Sequence, residues 1–94
     1  MAKVISQGDL VKSKAGRDDG QIFLVVKVDG KYAYIVNGKA RKVQSLKKKN
    51  VKHLEKFSNV SIIELAEKIE RGLLVGNKTV YLAIRTEKEK IQED

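Results

Sequence analysis

Apolar residues recur along this chain in two rhythms, and the change from one to the other divides it. From Gly8 to Leu54 they come in short runs closed by turn signals. Gly8–Lys14 reads as a short strand, and Gly16-Arg17-Asp18-Asp19-Gly20 as a polar turn. Gln21-Ile22-Phe23-Leu24-Val25-Val26-Lys27-Val28 is nearly all apolar, short and β-branched, which predicts a strand covered on both faces. Asp29-Gly30 and Asn37-Gly38 bracket Lys31–Val36, and both dipeptides suit the positive φ angles of a type I′ hairpin. A three-stranded meander is the economical reading. Its third strand would be Lys39-Ala40-Arg41-Lys42-Val43, a polar edge protected by its charges. Ser45–Asn50 reads as a loop or single turn. Val51-Lys52-His53-Leu54 reads as the last strand, anchored by Val51 and Leu54.

After residue 57 the period lengthens. Ser61-Ile62-Ile63-Glu64 has the form of a capping box. Ile62, Leu65, Ala66 and Ile69 follow at helical spacing, and Gly72 is a stop signal. The stretch beyond Gly76-Asn77 suits a helix capped by Asn77, with Val80, Ala83 and Ile84 on one side. Thr79-Val80-Tyr81 also suits a strand. Helix is the preferred reading, fraying through Thr86–Lys90, with Ile91–Asp94 disordered.

Short strands with tight turns, then helix, suggest a mainly β fold that is α+β overall. The expectation is a small SH3-like barrel in residues 1–56 and a helical extension in residues 57–94. The 94 residues allow one small domain. With no Cys there is no disulfide or thiolate chemistry. The N-terminal residues lack the apolar stretch of a secretory signal, and no run is long enough to span a bilayer. A cytoplasmic location is therefore expected.

Charge sharpens the picture. The formal net charge is +8. Residues 1–56 hold 14 Lys/Arg against 5 Asp/Glu, a net +9, and residues 57–94 hold 6 against 7, a net −1. Solubility alone requires no such asymmetry; a one-sided positive field points to a polyanion. A membrane surface would call for a basic amphipathic helix, whereas these cations lie on strands and loops. Nucleic acid is the better fit.

Three segments carry a family resemblance: Gly8-Asp9-Leu10-Val11-Lys12, Ala15-Gly16-Arg17-Asp18-Asp19-Gly20 and Val25-Val26-Lys27-Val28. Together they resemble a KOW motif, part of an SH3-like barrel that commonly contacts RNA in ribosomal proteins and NusG-type elongation factors. Tyr34-Ile35-Val36-Asn37-Gly38, Arg41-Lys42-Val43 and Lys47–Leu54 narrow the match. They are similar to the archaeal and eukaryotic large-subunit ribosomal protein family numbered fourteen, and most of all to its small bacterial KOW relatives. The resemblance covers residues 5–56 and implies RNA binding, with ribosomal RNA favoured. Some KOW sequences have a second Gly where this chain has Phe23. Residues 57–94 carry no transferable motif.

The densest basic run, Lys47-Lys48-Lys49 with Lys52 and His53, is the first candidate RNA contact. Arg41, Lys42, Lys12 and Lys14 are expected on the same side of the barrel. Arg17, at the tip of the turn between Gly16 and Gly20, can grip a phosphate in two places or stack on a base. Asp18 is expected to bond turn amides. Tyr32 and Tyr34 share one face of a strand; packing against the barrel or the helix is the expected role, and a stacking platform for unpaired bases the alternative. No metal site is expected from a single His without Cys. Neither a cofactor nor an enzymatic activity is expected, since no nucleophile–base pair or phosphate loop is evident. The competing reading is a protein-interaction module of the transcription or translation machinery, docking through the Ile62/Leu65/Ile69 helix face.

Overall fold

The apolar run after Gly20 becomes the central strand of the computed structural model, which describes residues 4–92. In chain order the strands are β1 (Asp9–Ser13), β2 (Ile22–Asp29), β3 (Tyr32–Val36), β4 (Lys47–Asn50) and β5 (Leu54–Ser61). A 3-10 turn, Val51–His53, joins β4 to β5, and two helices follow, α1 (Ile63–Glu70) and α2 (Asn77–Gln92). The strands form one antiparallel sheet in the order β4-β3-β2-β1-β5, so the fold is α+β.

Strand alternation sorts the apolar residues onto two faces. Val11, Phe23, Val25, Ala33, Ile35 and Leu54 form one core with Ile5 and no helical residue. Leu10, Ile22, Leu24, Val26 and Val36 form the other, closed by Ile69, Val80 and Ile84 from the helices. That explains the all-apolar β2: one face is covered by the sheet itself and the other by α1 and α2. A register shift between Val25 and Lys27 puts a bulge at Val26. Gln7 anchors it, its Nε2 donating to the Val26 carbonyl at 3.0 Å and to Glu70 of α1 at 2.6 Å.

The sheet must curl. Its edge strands β4 and β5 would lie about 19 Å apart if it were flat. They are joined by a three-residue 3-10 turn, which spans roughly 8 Å. Edge and turn also meet through Asp18. Its Oδ1 accepts from Lys49 Nζ at 2.8 Å and from Ser13 Oγ at 2.9 Å. Lys47 Nζ stands 2.9 Å from Oδ2 as an ion pair. Lys49 Nζ also donates to the Ala15 carbonyl at 2.7 Å. Asp18 therefore clamps β4 to the turn after β1; contrary to expectation, its side chain bonds Ser13, Lys47 and Lys49 and not turn amides.

Other expectations need correction. Lys39–Val43 is not a strand. Asn37 Oδ1 accepts from the Lys39 and Arg41 amides, which winds residues 37–41 into a tight loop instead of a two-residue hairpin. The edge strand is Lys47–Asn50, held by pairing with β3 and by Asp18. Val51–His53 is a 3-10 turn, and β5 begins at Leu54 and runs through residue 56 to Ser61. The Ser61 hydroxyl does not cap α1, which starts at Ile63 without a side-chain cap. It donates to Asp9 Oδ1 at 2.7 Å, because Ser61 is still paired with β1. Asn77 opens α2, but its side chain accepts from the Val43 amide and donates to Gln44. α2 continues through Thr86–Lys90 and Ile91 to Gln92; the last two residues of the expected disordered tail lie outside the described residues.

The helical reading of α1 holds: Ala66 and Ile69 are buried, with Ile62 and Leu65 packed against the same core. That face is occupied by the sheet and is not open to a docking partner. No helix among the described residues is long and apolar enough to cross a membrane.

Two predictions follow from the turns. Gly20 has φ +88° with open space around it, whereas Gly38 has φ +77° and a Cβ there would collide with the Asn77 carbonyl and the Tyr81 amide. Gly20→Ala should cost about 1 kcal/mol of backbone strain. Gly38→Ala should cost roughly 2–4 kcal/mol, adding overpacking where the loop docks on α2. Equal melting temperatures for the two variants would contradict this ranking. For Asp18, burial alone would raise the pKa, but hydrogen bonds from Lys49, Lys47 and Ser13 outweigh it and hold the carboxyl well below its usual range. A depressed folded pKa gives stability that is present above the unfolded value of about 3.9 and is lost as pH falls through the folded one. Asp18→Asn should therefore lower the melting temperature by a constant amount above about pH 5. The gap should narrow from about pH 4 downward. A gap independent of pH across that window would exclude the clamp's electrostatic role.

Candidate functional site

Alternation along β4 splits the lysine run. Lys47 and Lys49 turn toward Asp18, while Lys48 is exposed on the outer face. In the sheet, Lys27 stands opposite Tyr34, and Tyr34 opposite Lys48. One cross-strand row is therefore Lys–Tyr–Lys over β2, β3 and β4. Lys27 Nζ lies 4.9 Å from the Tyr34 ring centre, and Lys48 Nζ lies 4.3 Å from that of Tyr32. Lys31 Nζ is 5.6 Å from the Tyr32 ring centre. All three are within cation–π range.

The expected packing of Tyr32 and Tyr34 is not found. Both rings are half-buried and belong to neither core. They share an outer face with Val36, but the helices cover only the end that carries Val36, Ile22 and Val26. The bulge at Val26 sets Lys27 on this face directly after a core residue. Lys27 and Lys31 were missed by sequence reasoning, because their value depends on strand pairing. The Lys31-Tyr32-Ala33-Tyr34 alternation was the available signal for half of the patch.

The 3-10 turn carries this surface toward β1. The Val51 amide donates to the Lys31 carbonyl at 2.9 Å, and the Lys14 amide donates to the His53 carbonyl at 2.8 Å. Asn50 Oδ1 caps the turn by accepting from the Lys52 amide at 3.0 Å. Lys52 and Lys14 are exposed and His53 is half-buried. Lys12, two residues before Lys14 on β1, is exposed and stands opposite Glu55 of β5. Arg17 is exposed on the turn beyond. Among the described residues, Lys12, Lys14, Arg17, Lys27, Lys31, Lys48 and Lys52 have no carboxylate within ion-pair distance.

Arg41 and Lys42 are exposed on the 37–46 loop. That loop touches the β1–β2 turn through Asn37 Nδ2, which donates to Gln21 Oε1 at 3.2 Å. It is a neighbouring loop, not a continuation of the strand row. Between it, Gly20 and α2 lies an open cleft of about 450 Å³, lined in part by Lys39, Tyr81, Arg85 and Lys88. Arg85 is drawn to Glu89 at 3.1 Å, one turn along the helix. Among the described residues no group of three or more His, Asp or Glu side chains is placed to hold a metal ion.

Compared with known protein families, the chain matches none, and no curated protein matches it either.

Proposed function

We propose that this chain is an RNA-binding protein of the KOW type, acting without catalysis on structured ribosomal or ribosome-linked RNA. Its sheet reads as an SH3-like barrel, supported by a core that neither α1 nor α2 enters and by the short turn between the edge strands. The observation that carries the proposal is the set of cations that, among the described residues, have no carboxylate within ion-pair distance, from Lys27 and Lys48 through Lys52 to Lys14 and Arg17. A polyanion neutralised along that path releases counterions, so affinity depends steeply on salt. Lys47 and Lys49 are assigned to the fold, and Lys48 and Lys52 to the RNA. Arg41 and Lys42 add to the positive field beside the path.

Two measurements test this reading. With four to six phosphates neutralised, log K should fall against log salt with a slope of roughly −3 to −5. A slope near zero with a large RNA would sink the proposal. Lys48→Ala and Lys52→Ala should each flatten that slope by about 1 without lowering the melting temperature. Lys49→Ala should do the reverse, lowering the melting temperature through the loss of a buried partner of Asp18 and leaving the slope nearly intact. The uncrossed pattern, with Lys49 governing binding and Lys48 governing stability, would overturn the division.

A further inference from the structure

We infer that the Tyr32–Tyr34 face of β3 binds unpaired nucleotides, with bases against the two rings and phosphates against Lys27, Lys31 and Lys48. The inference rests on the RNA-binding proposal and names the form of RNA that this part of the surface takes. Two half-buried rings lie on one outer face, uncovered by either helix, with an ammonium over each. A ring left half in solvent among cations contributes little to the core. Its π face is suited to a flat partner that brings negative charge. Asp29 stands opposite Tyr32, so three ammoniums face one carboxylate.

The present occupants of the rings can be displaced. An exposed cation–π contact is weaker than a base stacked on an aromatic ring. A base would take the ring, and the lysine would swing its flexible stem to the adjoining phosphate. Spacing argues for splayed, single-stranded RNA. Residues two apart on a strand are about 6.7 Å apart, twice the roughly 3.4 Å step between stacked bases. Two rings at that distance fit bases pulled out of a continuous stack, whereas a duplex keeps its base faces covered.

The test uses the full chain carrying Tyr81→Phe, which leaves Tyr32 and Tyr34 as the only tyrosines of the three in the sequence. With no Trp present, their fluorescence is directly readable. Three ligands of equal phosphate number are titrated: octauridylate, an abasic ribose-phosphate octamer, and a blunt RNA duplex. Octauridylate should quench the tyrosine fluorescence and bind about tenfold tighter than the abasic chain, the scale of one base–aromatic stack. Tyr34→Ala should remove that advantage while leaving the salt slope unchanged, and Tyr34→Phe should restore it. Melting curves on the same samples show whether Tyr34→Ala is folded; if it is not, the ratio between octauridylate and the abasic chain for the Tyr34→Phe protein decides alone. Equal affinity for octauridylate and the abasic chain, or an equal Tyr34 dependence for the duplex, would overturn the stacking inference and leave the RNA proposal standing. If none of the three ligands, nor a large structured RNA, binds with salt-dependent affinity, both fall together.

Discussion

The buried Asp18 carboxylate holds the curled sheet together. A strand as short and polar as Lys47–Asn50 brings no apolar side chain of its own to either core. Pairing with β3 satisfies only one of its edges. What fixes the other is the pair of ammoniums that meet Asp18 across the gap to the β1–β2 turn. Once one of those charges is buried, the others must remain, because stripping one partner from a buried ionic cluster costs about 3–5 kcal/mol. That is a large share of the 5–15 kcal/mol by which a typical domain is stable. The Ser13 hydroxyl and the Ala15 carbonyl complete the cluster, so the turn has little freedom to open.

The clamp also explains where the sequence could be read and where it could not. β2 was legible because an all-apolar run matches two covered faces, β3 because turn signals bracket it, and α1 because Leu65, Ala66 and Ile69 follow the helical period. β4 was not legible. Its inward positions hold lysines whose burial is compensated by an acid on the distant β1–β2 turn, and periodicity detects only apolar burial. The same blindness misplaced Ser61, a correct capping residue type diverted to Asp9 because β5 had not yet ended. Asn37-Gly38 has the hairpin signature, yet the Asn37 side chain rolls the chain into a longer loop that docks on α2.

The candidate surface was legible as charge and illegible as geometry. Lys47, Lys48 and Lys49 are equivalent in composition, and the period of two separates them into structural and solvent-facing cations. The net charge of +9 in residues 1–56 already subtracts Asp18, so the clamp leaves that total unchanged and only withdraws Lys47 and Lys49 from direct contact with a ligand. In exchange, strand pairing gathers Lys27, Tyr34 and Lys48 into one row from three different strands. No local pattern announces that row, because it exists only after the register is set.

The two helices shape this surface by what they leave uncovered. They close the outer face over Ile22, Leu24, Val26 and Val36, where the sheet is apolar, and stop before Tyr34 and Lys27. Their own exposed charges are mixed, with Lys68 facing Glu64 and Arg85 facing Glu89. Such pairs cancel locally and contribute little at a distance. Positive potential is therefore concentrated on the side of β4, the 3-10 turn and the end of β1, without any need for the helices to carry charge. Extending the helical cover by one more turn over β3 would bury the tyrosines and give a larger core. It would also cover Lys27 and Lys48 and so remove the face on which Tyr32 and Tyr34 stand among cations.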